Sequence, residues 1–545
     1  MSKVRRVWIA YALLLLVAFG FRFFIARHYP NDTPDDARVY AQIARNILEQ
    51  HVYSDSTQSP YDPTYIRTPG YPLLVALIYS VFGHSNNAAV RTVQALIDTV
   101  TCALVAVVAF YWQPDQGSRL TTALLAFALA AVNPFTTIYA ATILTEIPAI
   151  FLTVAMCLAA TLAVKASSRT RRLLFWFITG LISGIGVLVR PDTGLLVVVI
   201  GLVVLVANLV RLPRLWRRMV LESAIYGISF LLVLVPWTIR NWRVFHVFQP
   251  LAPVYATMPG EFVPRGYSQW LRTWLDDQRY VDAVWWQLDS APISIHDIPK
   301  KAFDSPEERS RVAALLEKYN HPPQAGDEES NNAINPGAAQ INQNGNPASP
   351  NASPSPDTTS TDDEQNEDEE EEPDEESNTA DTNVEMTAEI DAGFAQIAVE
   401  KIARHPIRYY IWLPIKRSAA LWFNTHSDYY PFDGTLFPLS DLDYETHQHI
   451  WLPLFAVLVV IYSLLGVGGG FVLWTAGDLY SRLWLLLTIV MMAARITFMS
   501  TVESLEPRYV VQFFPFLAAF GGIAIGRLFT ACARRLHSTG SIALP

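Results

Sequence analysis

Cysteine is scarce: three in 545 residues is too few for a disulfide framework or a thiolate zinc site, and Cys102 and Cys157 lie inside apolar runs. Charge is scarce too, with Asp, Glu, Lys and Arg making up 17% of the chain, below the quarter or so usual for soluble domains. Between positions 319 and 400 lysine and arginine are missing altogether, while 21 Asp or Glu residues crowd the same stretch. The overall net charge of −10 therefore misleads, because without those 21 acids the rest of the chain carries +11. Histidine never falls into a ligand pattern: His426 with Asp428, and His447 with His449, lack the spacing of a metal site, and no metal or other cofactor is expected. No two-fold internal repeat of the transporter kind is visible. Nothing points to a nucleic-acid partner.

What the chain has is apolar length. Hydrophobic residues make up 51%, with 15 Trp, which excludes an ordinary soluble enzyme and predicts an all-α polytopic membrane protein. Apolar runs at 7–25, 88–112, 120–132, 147–164, 173–189, 194–209, 220–237, 451–474, 483–499 and 509–529 give about ten crossings by hydrophobic length, the third short as written and expected to extend further. The first run follows Lys3, Arg5 and Arg6 and has no small-residue cleavage site, so it reads as a retained span. Arg119, then Lys165, Arg169, Arg171 and Arg172, then Arg211, Arg214, Arg217 and Arg218 fall in turns on one side, the cytoplasmic side by the positive-inside bias. The opposite turns hold Asn133-Pro134 and Arg190-Pro191-Asp192.

Five divisions follow. Residues 1–240 form an N-terminal membrane core that includes a first outside loop, 28–85; 241–321 are an outside segment rich in Trp, including Trp270, Trp274, Trp285 and Trp286. Residues 322–383, dominated by Asn, Ser, Pro and Glu, cannot bury enough apolar surface to offset ordering entropy and are expected to be disordered. Residues 384–448 regain helical spacing, interrupted near Pro406, and with Lys416 and Arg417 belong outside or at the headgroups; 449–545 hold the last spans and a cytoplasmic tail. Asn31-Asp-Thr33 and Asn351-Ala-Ser353 fit the glycosylation acceptor pattern, and Gly466 with Gly468 to Gly470 suit close helix packing.

The first outside loop is the most informative stretch. Asp35 and Asp36 fall in the first turn of a short amphipathic helix, marked by Ala37, Tyr40, Ile43, Ala44 and Ile47, that is expected to lie along the membrane surface. Asp36 and Tyr40 share a face, and Arg67-Thr-Pro-Gly-Tyr-Pro72 follows. The run 70–82 is too short to cross and should be a helix inserted part way.

An outside acid four residues before a Tyr, the Arg-x-Pro-Gly-Tyr-Pro run, Arg190-Pro191 after a span, Pro236-Trp237-x-x-Arg240-Asn241, and Glu506-Pro507-Arg508-Tyr509 before the last span together resemble the GT-C membrane glycosyltransferases. More narrowly they look like the branch of the protein O-mannosyltransferases and the lipid A aminoarabinose transferase, over most of residues 5–530. The resemblance implies a GT-C fold, a polyprenyl-phosphate-linked sugar donor, inverting transfer on the extracytoplasmic face, and a glycolipid, polysaccharide or protein acceptor. It makes Asp36 the expected base, with Asp35 as the alternative, and Glu146 a second acid; capping of a helix start is the bland role for each. Arg67 is the leading phosphate ligand and Arg508 the next, while Arg190 and Arg240 either bind the donor or pair with Glu146, Glu503 or Glu506. Tyr40, Tyr71, Glu506 and Tyr509 are expected to line the same cavity. The rivals are a ligase or polymerase using a pyrophosphate-linked oligosaccharide, a lipid-linked-sugar transporter or flippase, and a non-catalytic assembly protein that recruits partners through its acidic insert.

Overall fold

The computed structural model describes residues 3–31, 35–211, 216–253, 257–258, 260–322, 384–424, 430, 447–503 and 505–539, so the expected disorder at 322–383 falls almost wholly outside the described residues, as do His426 and Asp428. The helices are α1 (Lys3–His28), α2 (Asp35–Glu49), α3 (Gly70–Phe82), α4 (Asn87–Trp112), α5 (Arg119–Ala131), α6 (Pro134–Thr137), α7 (Glu146–Lys165), α8 (Arg169–Val189), α9 (Gly194–Arg211) and α10 (Trp216–Phe245). After them come α11 (Arg265–Leu271), α12 (Pro306–Asn320), α13 (Ala388–Arg404), α14 (Leu413–Phe423), α15 (Gln448–Ala476), α16 (Leu479–Met499) and α17 (Phe514–Thr539). Among the described residues, extended backbone pairs only at one isolated bridge, Asn31 to Thr142.

Eight helical stretches are long and apolar enough to cross a membrane, and α5 with the bent helix after it makes up to nine. The run expected at 194–209 is helical in α9, but its apolar part, Pro191–Leu202, is one of the shorter apolar helices and not one of those spans. The protein is an all-α, multi-pass membrane protein.

The expected extension of the 120–132 span does not occur as a straight helix. α5 stops after 13 residues and the chain bends by 53° into 134–141. Pro134 has no N–H to continue the ladder, and Asn133 accepts from the Phe135 N–H at 2.9 Å, starting a new turn. Carbonyls freed by the break are taken by side chains: Arg22 donates to Ala131 O at 2.9 Å and Ala130 O at 3.0 Å, and Tyr462 donates to Leu129 O at 2.7 Å. Arg22 is itself held by Asp98 at 2.6 Å, both groups buried. A charge inside a membrane segment is a functional candidate by default; here the broken helix end accounts for it.

Small residues set the helix spacing elsewhere. A Cβ on Gly469 of α15 would lie 2.1 Å from Phe520 O of α17, and one on Gly180 of α8 would lie 2.4 Å from Tyr226 O of α10. At one end of the bundle α2 and α3 pack together through Ala37, Ala41, Ala44, Tyr71, Val75 and Tyr79. The apolar face of α2 is thus seated on protein. α3 has 13 residues, and its first, Gly70, abuts the Leu188 backbone, where a Cβ would stand 2.7 Å away.

A second hydrophobic core, separate from the membrane bundle, gathers Tyr267, Trp270, Trp274, Val312, Ile390 and Phe394. Two groups tie it to the turn after α16. Arg417 donates to Leu275 O (2.7 Å), Arg272 O (2.8 Å) and Ser500 O (3.2 Å), and Glu503 accepts from Arg272 Nε at 2.6 Å and from the Ser268 hydroxyl. Burial lowers the Arg417 pKa to about 10.

Candidate active site

Chain breaks at the end of the bundle covered by α2 and α3 place charged groups side by side. Asp36 lies in the first turn of α2 and Glu146 opens α7, both positions where the helix dipole favours an acid. Arg190 is the extended residue that ends α8, and Arg508 lies in the short turn Pro507–Tyr509 before α17. Arg67 comes three residues before α3.

Asp36 is gripped from two directions. Its Oδ1 accepts from Arg67 Nη2 at 2.7 Å and its Oδ2 from Arg508 Nη1 at 3.0 Å, with 24% of the side chain exposed. Arg508 also binds Glu506 and stands 4.0 Å from Glu146 Oε1, which in turn holds Arg190 Nη1 at 2.5 Å. From Arg190 the network continues to Asp192 at 3.1 Å, and from Asp192 to Arg495 at 2.7 Å. Arg495 closes a ring by donating to Tyr509 O, and the Tyr509 ring lies under Arg190 and Arg508 at 5.4 and 5.5 Å. Four acids (Asp36, Glu146, Asp192, Glu506) thus balance four arginines (Arg67, Arg190, Arg495, Arg508) in one continuous set. Glu146 Oε2 is buried and has no hydrogen-bond partner among the described residues.

Electrostatics fixes the resting protonation. Burial pushes the Asp36 pKa up, but the charges of Arg508 and Arg67 outweigh it and leave the carboxyl below its ordinary value. Burial opposes the charged form of Arg67, and Asp36 overcomes that, holding it protonated. Tyr40 is raised, by burial first and then by the Asp36 carboxylate, so its hydroxyl stays neutral. Tyr40 packs edge-on against Tyr71 at 5.0 Å; Tyr71 donates to Gln94 Oε1 at 2.7 Å, and Gln94 donates to Thr142 O at 2.7 Å.

Of the residues singled out by sequence, the structure brings together Asp36, Arg67, Glu146, Arg190, Glu506, Arg508 and Tyr509, with Tyr40 close enough to feel their charges and Tyr71 packed against it. Asp35 opens α2, and its side chain lies outside the described residues. Arg240 does not join the cluster: its guanidinium is bonded to the Thr64 and Tyr53 carbonyls. Glu503 pairs with Arg272 instead of a site arginine. Asp192 and Arg495 were missed. Arg495 carried a usable signal, since a lone arginine in the apolar run 483–499 needs a partner. Among the described residues no group of three or more His, Cys, Asp or Glu side chains is placed to hold a metal.

Residues 66–239 match the family model described as dolichyl-phosphate-mannose-protein mannosyltransferase. No curated protein matches the sequence. Among solved structures, the apo oligosaccharyltransferase of Archaeoglobus fulgidus is 11% identical, with a TM-score of 0.50 over 99% of this chain and 53% of that one. The archaeal oligosaccharyltransferase AglB from Archaeoglobus fulgidus, in complex with an inhibitory peptide and a dolichol-phosphate, gives 12% and 0.48 over 100% and 53%. ArnT from Cupriavidus metallidurans, bound to undecaprenyl phosphate, gives 12% and 0.37 over 96% and 79%. The chain spans about half the length of the oligosaccharyltransferase chains, and at these identities the likeness is one of fold. The family match thus covers about a third of the chain, within its N-terminal half, and the apo oligosaccharyltransferase structure adds a likeness of fold.

Proposed function

We propose that this protein transfers a sugar from a polyprenyl-phosphate carrier to a hydroxyl acceptor on a glycolipid, polysaccharide or protein, at the extracytoplasmic face and with inversion at the anomeric carbon. The observation that carries the reading is Asp36 held between Arg67 and Arg508 at 2.7 and 3.0 Å. A carboxylate that bridges two guanidinium groups occupies the place a phosphate would take. When the donor phosphodiester binds there, one negative charge replaces another on Arg67 and Arg508, and Asp36 is released to face the acceptor. The acceptor oxygen then bonds to the anomeric carbon, its proton passes to Asp36, and the bond from that carbon to the phosphate oxygen breaks. The electron pair stays on the leaving polyprenyl phosphate, whose new charge the two arginines stabilise. A pyrophosphate-linked donor brings more negative charge than exchange with one carboxylate accommodates in a balanced set, which favours the monophosphate carrier over a ligase or polymerase donor.

Charge supports this facing of the site. Arg119, Lys165, Arg169, Arg171, Arg172, Arg217 and Arg218 lie at the helix ends opposite the cluster, which by the positive-inside bias favours an extracytoplasmic Asp36. The match of residues 66–239 to a family model described as dolichyl-phosphate-mannose-protein mannosyltransferase is in keeping with a lipid-linked donor here. The test is Asp36→Asn in membranes supplied with a labelled polyprenyl-phosphate sugar. Transfer should fall by about 10²- to 10⁴-fold, the usual worth of a general base, while binding of the lipid phosphate persists. Wild-type transfer rates in the variant remove Asp36 from the mechanism.

A further inference from the structure

Between α2 and α3 the chain leaves the bundle and returns, and its two limbs meet where the Thr64 N–H donates to Tyr53 O at 2.9 Å. A loop closed at its base in this way still has to be fixed to the scaffold. Arg240, near the end of α10, does so: Nη1 donates to Thr64 O at 2.7 Å and Nη2 to Tyr53 O at 3.3 Å, one donor to each limb. Its guanidinium lies 5.4 Å from the Tyr53 ring centre, 5.0 Å from that of Trp237 and 5.1 Å from that of Phe245. The rings interlock as well, Tyr53 edge-on to Trp237 at 4.9 Å and Tyr65 edge-on to Phe245 at 4.7 Å. From this clamp one bond leads to the site, because the Tyr53 hydroxyl donates to the carbonyl of Arg67 at 3.0 Å.

Resting on the reading that Arg67 receives the donor phosphate, we infer that Arg240 is a positioning residue, not a donor ligand: it fixes the base of the 53–64 loop to α10 and, through Tyr53, sets the backbone that aims Arg67 at Asp36. A planar fork that bonds two carbonyls while lying against three rings is a task for arginine that the point charge of lysine does not perform. Asn241 extends the same dock by donating to Gln249 O at 2.7 Å, so the Pro236-Trp237-x-x-Arg240-Asn241 run acts as a mount for the loop and the chain that follows.

The test uses the full-length protein in lipid nanodiscs and compares wild type with Arg240→Lys, Tyr53→Phe and the double variant, reading amide exchange over 53–67 and donor-saturation kinetics. Arg240→Lys should speed exchange in that segment by about tenfold or more while the membrane helices stay protected. Its kcat should fall by about 10- to 100-fold, the cost of a misaimed group, despite the retained positive charge. Tyr53→Phe keeps the ring and loses only the bond to Arg67, so its effect should be smaller and should not add fully to that of Arg240→Lys. Wild-type exchange in Arg240→Lys, with a raised donor KM and an unchanged kcat, would instead make Arg240 a direct phosphate ligand and overturn the inference. If the wild-type protein transfers no sugar, the proposed function fails, and the exchange measurement still decides whether Arg240 holds the loop.

Discussion

In the proposed mechanism Asp36 takes two successive roles, and its resting partners keep it charged for both. Its pKa is lowered from an ordinary 3.8, so it adds stability at neutral pH that is lost as pH falls through the lowered value. If Asp36 is the base, as proposed, the same sign governs activity, since the acid limb of kcat/KM reports the free enzyme's base. Removing one clamp in Arg67→Ala lets the carboxyl pKa rise, and the acid limb should move to higher pH while the rate drops. A limb that stays in place would assign it to another group. Sequence could single out Asp36, Arg67 and Arg508, because each stands near a break that its neighbours announce: a helix start, an Arg-x-Pro, a Glu-Pro. It could not pair them, because Asp36 and Arg508 are 472 positions apart and no local pattern records which guanidinium a carboxylate meets. Arg240 marks the limit most clearly. Its motif could be read, but the direction of its fork depends on a loop nearly two hundred residues earlier in the chain.

Helix spacing decides whether those charges meet at all. α15 and α17 touch along Gly466 and Gly469, and at Gly469 an added methyl would press on the Phe520 backbone, which cannot move aside as a side chain can. Gly468 differs, for there a Cβ would find Ala524 at an ordinary 3.5 Å. Gly469→Ala should therefore cost about 1–3 kcal/mol and Gly468→Ala less than about 0.5 kcal/mol, read as thermal midpoints of the purified protein in one detergent. Equal shifts would mean that this seam does not control the packing. The glycine cluster and nearly every span could be found from composition, since lipid-crossing length and apolarity are local properties. The bend after α5 was hidden, although Asn133-Pro134 was in plain view. What turns that dipeptide into a stable break is the capping of the exposed carbonyls by Arg22 and Tyr462, from helices remote in sequence.

At the scale of the whole molecule, the bundle and the second core meet at the turn that also carries Arg508. Glu503 and the Ser500 carbonyl bind Arg272, Ser268 and Arg417, five to eight residues before the site arginine. Composition marks the acidic stretch off from the chain on either side, but this docking could not be foreseen, because it joins backbone carbonyls to charges across three distant segments. The described residues on either side of 323–383 meet where the Glu385 N–H donates to Tyr319 O at 3.4 Å. The composition of 323–383, dominated by Asn, Ser, Pro, Asp and Glu, gives it little apolar surface to contribute to that core. Replacing 323–383 with a short Gly-Ser link should therefore preserve both the unfolding temperature and the transfer rate. A variant that folds but no longer transfers would place the acidic residues in acceptor recruitment, and one that fails to fold would show that the core depends on them.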